Sequence, residues 1–269
     1  MFPPLATRIR RRLARHLPTK PFAMRNDAPL VSFTFDDVPE SAYANGAAIL
    51  DDYGIRGTFY IAAGTCGATD TYWRVIGRDQ VRDLYARGHE IGCHTFSHAA
   101  VDELSAQATA QECRRNLDAM RELCPSVTMT NFCYPLGCVS LPRKLQLQKH
   151  FDTCRGIYEG VNSGVVDLGL LRVIELYDRT LTDDKLRHVL SRARDRNGWV
   201  IFYAHDVAQQ PTHMGCTPAL LRATIEAVRA RRMPCLSIRE ALSAIGYSAK
   251  VEAPSLSAAP VRSPRHDED

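Results

Sequence analysis

From about Leu30 to Ile245 the chain repeats one theme, a short apolar run rich in Val, Ile, Phe and Tyr followed by a longer segment of helical period. The runs are LVSFTF (30–35), GTFYIA (57–62), HEIGC (89–93), TNFCY (130–134), FDTC (151–154), LLRVIEL (170–176), WVIFYA (199–204) and a weak MPCLS (233–237). Helical patterns occupy Tyr43 to Tyr53, Asp79 to Arg87, Leu104 to Leu123, Thr182 to Arg196 and Thr217 to Arg231. Strands that alternate with helices pair in parallel, with the helices outside. Seven or eight such units predict an α/β fold closed into a (β/α) barrel. The rival, a doubly wound open sheet, would often carry a glycine-rich phosphate loop after an early strand. This sequence has none.

The flanks differ in composition from the repeating part. Residues 1–27 read as a basic arm, 28–247 as one domain, and 248–269, rich in Ser, Pro and Ala, as a disordered tail. The formal charge of +4 misleads, because residues 1–20 hold six Arg and Lys and no acid, leaving 28 basic against 30 acidic residues, or −2, in the remainder. A folded domain without basic excess does not fit a nucleic-acid partner. In the arm, Leu5, Ile9, Leu13 and Leu17 recur every four residues among arginines. That spacing allows a short amphipathic helix resting on an anionic membrane surface, or a frayed basic arm. Nine scattered cysteines without a CxxC pair argue against a disulfide framework and a thiolate zinc site. Together with the lack of a secretory signal, they predict a cytoplasmic protein, peripheral to the membrane if the helix forms.

The chemically interesting residues share one address. Asp36 and Asp37 close the first run, His94 and His98 follow the third, Leu136 and Gly137 the fourth, and His205 with Asp206 closes WVIFYA. Carboxyl ends of strands are where barrels build active sites. In HTFSH (94–98) the imidazoles stand at i and i+4, so one helical turn would present both to a single ion. Two imidazoles with a carboxylate suit zinc and leave room for water. The same spacings also occur in solvent-exposed histidines, and paired aspartates also cap helices.

Taken together, TFDD (34–37), GHEIGCHTFSH (88–98), FCYPLG (132–137) and FYAHD (202–206) resemble the NodB-homology polysaccharide deacetylases, carbohydrate esterase family 4. The resemblance implies a distorted (β/α) barrel and a divalent metal, most often zinc, with cobalt or nickel as substitutes. Carried over position by position, it implies Asp37, His94 and His98 as metal ligands, Asp36 as general base and His205 as general acid. The backbone N–H of Leu136 would donate to the oxyanion.

Several positions depart from the family pattern. Cys133 stands where an arginine usually orients the base, Leu136 where a tyrosine is common, and Val38 where a glycine often follows the aspartates. Arg172, in LLRVIEL, is the candidate substitute partner for Asp36, with a rim salt bridge of no catalytic part as the alternative. The family's element with a groove-lining tryptophan has no clear counterpart, since Asp178 and Arg179 lack it. Trp73 and Tyr72, in the loop from Ala62 to Arg78, are the candidate substrate contacts, although packing under the loop is the favoured expectation for Trp73.

The function this implies is removal of an N-acetyl, or an O-acetyl, group from a saccharide, small or lipid-linked. Deformylation or hydrolysis of a non-sugar amide is the variant on the same fold. The alternative from another class is a glycan-binding relative without turnover.

Overall fold

A computed structural model describes residues 5–248. From residue 249 onward the expected tail lies outside the described residues. Seven parallel strands close a barrel: β1 (Leu30–Asp36), β2 (Thr58–Ile61), β3 (Glu90–Cys93), β4 (Asn131–Cys133), β5 (Thr153–Glu159), β6 (Leu171–Glu175) and β7 (Trp199–Ala204). Each strand pairs with the next in chain order, and β7 closes the ring on β1 from Leu30↔Trp199 to Phe35↔Ala204. The weak eighth run supplies only an isolated bridge, Cys235 to Val31, so the count settles at seven. Every residue of β1 and β7 is buried, which explains why both read as continuous apolar runs.

Inside the barrel, side chains stack in layers. Thr34, Thr58 and Glu90 are in register, as are Asn131 and Thr153. The Glu90 carboxylate accepts from Thr58 Oγ1 at 2.8 Å, from Asn131 Nδ2 and from Arg239 N at 3.0 Å. Asn131 in turn accepts from Thr153 at 2.7 Å. A closed polar network of this kind meets the demand that buried polar groups find partners. One layer toward the carboxyl ends, Asp36 aligns with Tyr60 and Tyr60 with Gly92, while Cys133 aligns with Arg155. A Cβ on Gly92 would stand 2.5 Å from the Tyr60 ring, so only glycine lets that ring fill the barrel.

The helices are α1 (Leu5–His16), α2 (Ala48–Asp52), α3 (Arg78–Ala86), α4 (Ala106–Leu123), α5 (Leu141–Leu147), α6 (Asp183–Asp195), α7 (Pro218–Ala230) and α8 (Ile238–Ala244). A π-helical segment, Ala42–Ala47, leads into α2. Ser105, Thr182 and Thr217 cap α4, α6 and α7 by accepting from Ala108, Lys185 and Leu220 N–H groups. Each such cap contributes about 1 kcal/mol. A two-stranded antiparallel ribbon, Pro21–Ala23 with Val165–Asp167, fastens the N-terminal segment beside the barrel. Among the described residues no helix is long and apolar enough to cross a membrane.

Candidate active site

Asp37 is the first residue past β1 and sits at φ 56°. Its Oδ1 lies 3.4 Å from His94 Nε2 and 3.1 Å from His98 Nε2, and the three donor atoms all fall within 4.8 Å of one another. The expected helical turn is absent: HTFSH is a loop, with Thr95 at φ 59° and His98 at φ 57°. The reason lies in α4, where the Glu112 carboxylate accepts from Phe96 N (3.0 Å), Ser97 N (2.8 Å) and Ser97 Oγ (2.9 Å). Phe96 O also accepts from Gly64 N at 2.8 Å. Those bonds hold the backbone open and bring both imidazoles to Asp37. His94 is set further by the contact of its Nδ1 with Cys133 O at 2.9 Å, which leaves Nε2 facing the carboxylate.

Backbone strain is concentrated here. Of seven non-glycine residues at positive φ among those described, Asp37, Val38, Thr95, His98 and Leu136 lie in the loops around this site. Val38, fully buried at φ 46°, is the most costly because its β-branched side chain opposes that conformation. Such residues cost on the order of 1–3 kcal/mol each and persist only where their surroundings dictate them.

Asp36, 3% exposed, closes β1 inside the barrel. Its Oδ1 takes a hydrogen bond from Nη2 of Arg155, a fully buried residue of β5, and Cys133 Sγ lies 3.5 Å from Oδ2. The Arg155 guanidinium sits 4.7 Å from the Tyr60 ring centroid and 5.3 Å from that of Tyr203. Arg172 does not reach Asp36. Its Nη1 donates to Glu159 O at 3.2 Å, and it lines a separate cavity beside the ribbon, outside the barrel mouth. The expected pairing is therefore corrected: the cation beside Asp36 comes from Arg155, whose Cα stands directly opposite Cys133 in the neighbouring strand. The apolar run FDTC ends at residue 154, one short of it. A strand continued by one residue would have placed an arginine in register with Cys133.

His205 follows β7 and approaches from the far side, its Nε2 3.9 Å from Asp37 Oδ2. Its Nδ1 lies 3.3 Å from Met214 O and 3.4 Å from the Tyr177 hydroxyl. Burial pushes the Tyr177 and Tyr203 phenols up, so both remain protonated donors. Tyr177 was not anticipated; Tyr203 shares the inward face of β7 with His205 by the two-residue alternation and was legible. Trp73 stacks on the His205 ring at 5.5 Å between centroids and 28° between planes, while Tyr72 meets His213 edge-on at 5.4 Å. Trp73 thus faces the cavity over His205 rather than packing away beneath its loop.

These groups line a cavity of about 530 Å³ that also takes in Leu136, Ile157, Glu175 and Arg179. Leu136, at φ 57° and 64% exposed, sits at its rim. Asp178 is engaged elsewhere, accepting from Thr217 N (2.9 Å) and Thr217 Oγ1 (3.2 Å) at the start of α7.

The donor set fits a divalent cation. Burial alone would raise the Asp37 carboxyl, yet the imidazoles of His94, His98 and His205 hold it well below the usual carboxylate range. Burial, and then His94, keep His98 below its ordinary value, so it is available as a neutral ligand. One carboxylate and two imidazoles, with the ring of His94 fixed by a carbonyl, form the kind of set that binds zinc and related ions.

With this geometry in view, the likenesses to known proteins take on meaning. Residues 23–151 match the model of the polysaccharide deacetylase family, a span that carries Asp36, Asp37, His94, His98 and Leu136. Over this span the chain is similar to the polysaccharide deacetylase family. A chitin deacetylase of Arthroderma benhamiae is 34% identical over 88 residues, 32% of this chain and 22% of that protein. The chain spans about a quarter of the length of the curated relatives it matches. Among solved structures, the Xyl-CE4 domain of a multidomain xylanase from the hindgut metagenome of Trinervitermes trinervoides superposes with a TM-score of 0.60 at 18% identity, covering 84% of this chain and 95% of that one. A family 4 acetyl xylan esterase from Clostridium thermocellum, in complex with a cobalt ion, gives 0.58 at 21% identity, covering 81% and 93%. At these identities the structures establish the fold. It is the distorted (β/α) barrel of the NodB-homology type.

Proposed function

We propose that this protein is a metal-dependent hydrolase that removes an N-acyl group, acetyl foremost, from a saccharide. The observation that carries the reading is Asp36, locked to buried Arg155, beside the Asp37, His94 and His98 set and across the cavity from His205. Asp37, His94 and His98 would hold a divalent ion, zinc by donor preference, with cobalt or nickel able to replace it. When bound, such an ion supplies Lewis-acid polarisation of the acyl carbonyl and a lowered pKa for water.

The protein's own groups would handle the protons. Asp36 takes a proton from the attacking water on Oδ2, the oxygen that Arg155 leaves free. Leu136 N–H donates to the oxyanion that develops on the carbonyl. His205 then gives a proton to the amine nitrogen as the C–N bond breaks, releasing carboxylate and amine. Met214 O and the Tyr177 hydroxyl orient the imidazole for that transfer. Trp73, Tyr72, Leu136 and Ile157 offer apolar surface to a sugar ring or to an attached apolar group, which favours a short or lipid-linked saccharide over a long polymer.

Acetate release from N-acetylglucosamine oligomers and other acylated saccharides tests the reading, using protein loaded with zinc, cobalt or nickel. Asp36→Asn and His94→Ala are each expected to lower turnover by at least 10²-fold, by analogy with the loss of a general base or of an ordered ligand (roughly 10²–10⁴). Full activity in both variants would overturn it. Stoichiometric metal with no turnover of any acylated sugar would favour a glycan-binding relative instead. We also infer a cytoplasmic setting from the odd, scattered cysteines; fractionation of the native protein to an oxidising compartment would contradict it.

A further inference from the structure

Helix α1 runs along the outside of the barrel, its middle reaching the catalytic end and its C-terminal end reaching the ribbon, and it is fastened along one face. Arg11 Nε is 2.7 Å from Asp102 Oδ2, in the loop that follows His98. The Arg15 guanidinium stands 4.5 Å above the ring of Tyr158, near the carboxyl end of β5. The fully buried Lys144 ammonium donates to Ala14 O at 2.8 Å and Leu17 O at 2.7 Å, and pairs with Asp167. A carbonyl-rich helix end is a favourable place for such a cation.

Among the described residues, the side chains on the opposite face of α1 have no such partners. Arg10, Arg12, His16 and the leucines at 13 and 17 are exposed, the leucines 46% and 44% and one turn apart. Val165 (71%), on the ribbon that Arg15 and His16 adjoin, is exposed too, as are Leu145 (42%) on α5, which packs against α1, and Ile157, Leu136 and Tyr72 in the lining of the site cavity. Leucines flanked by arginines on a short helix, next to further exposed apolar residues, form a surface that water alone does not favour. The charge is one-sided as well, with six Arg and Lys in residues 1–20 against a net −2 in the rest of the chain.

We propose that this face docks on an anionic lipid bilayer, α1 lying in the headgroup region and the cavity mouth turned toward it. Charge complementarity selects that occupant. A second copy of the chain would bring the same arginines against these, and a nucleic acid would gain nothing from Leu13, Leu17 and Val165. The docking would present the cavity to a saccharide carried on a lipid, a consequence that rests on the function proposed above, whereas the docking itself does not.

Cosedimentation of the full chain with vesicles tests the surface. Binding is expected to phosphatidylglycerol–phosphatidylcholine vesicles at 0.1 M salt, with loss in 1 M salt and little binding to pure phosphatidylcholine. Replacing Arg10 and Arg12 by Gln should lower partitioning about fivefold per residue. The Leu13→Asp/Leu17→Asp variant should lose at least tenfold while keeping its melting temperature and its zinc stoichiometry. No binding to anionic vesicles, undiminished binding by the leucine variant, or tighter binding to a short DNA duplex than to vesicles would each overturn the proposal. Vesicle binding is read without catalysis, so a failed deacetylase assay leaves its outcome intact.

Discussion

Arg155 shows how one side chain can be supplied from a neighbouring strand without loss of its purpose. Where the family resemblance calls for an arginine, β4 has Cys133, and the residue in register with it on β5 is Arg155. The pair it makes with Asp36 is buried, so removing the cation would leave an uncompensated carboxylate and cost about 3–5 kcal/mol. Arg155→Gln is expected to lower kcat by about 10²-fold, since a misplaced base costs that much. Arg155→Lys should recover part of the rate. Arg172→Ala should match the parent in rate and profile, as Arg172 is exposed and its guanidinium donates to Glu159 O, away from Asp36. Steady-state kinetics from pH 5 to 9, alongside thermal melts, would check all three.

At the scale of elements, α4 does more than cover the barrel. Glu112 and Asn116 are one turn apart on it and grip two different loops of the site. Glu112 holds the HTFSH backbone, while Asn116 accepts from Ala63 N at 2.7 Å and donates to Ile61 O at 2.8 Å at the end of β2. The helix therefore carries the positioning of His94 and His98, although it supplies no ligand. Glu112→Ala should weaken zinc affinity about 10–100-fold, the usual effect of removing support behind a ligand. Competition with a chromogenic chelator would measure it, and Glu112→Gln, which keeps one acceptor oxygen, should fall between the two. An unchanged affinity in Glu112→Ala would mean that the strained loop keeps its shape unaided.

For the whole molecule, stability and charge are coupled at the end of the barrel remote from the site. His89, 2% exposed, receives a hydrogen bond from Gly57 N on Nδ1 at 3.2 Å. Burial pulls it down to about 4, with Asp51 opposing and Arg87 and Arg56 assisting. The unfolded chain binds this proton from about pH 6.5 downward, and the folded chain only near pH 4. Stability from this group is thus complete above pH 6.5 and is lost progressively as the pH falls to 4, by on the order of 3 kcal/mol in all. Urea titrations across that window should show the slope, and His89→Gln should flatten it. Removal of metal acts at the other end: a chelator is expected to abolish turnover and lower the melting temperature by several degrees, because an ion bound only by the folded state stabilises it. Calorimetry with and without added zinc would measure the shift.

The parallel barrel, its helices and the shared address of the site residues were legible in the sequence, because burial on both faces of a parallel strand and the helical period leave local signals that survive folding. The motif residues were legible too, since Asp37, His94, His98 and His205 lie within short, recognisable stretches. Tertiary structure alone decided which arginine meets Asp36, that HTFSH is an open loop rather than a helical turn, that Tyr177 stands behind His205, and that Trp73 stacks on it. Each of these depends on strand register or on a contact between residues far apart in the chain, such as Glu112 with Ser97 or Arg155 with Asp36. Hydrophobic pattern records which face of an element is buried; what that face meets is set only when the barrel closes.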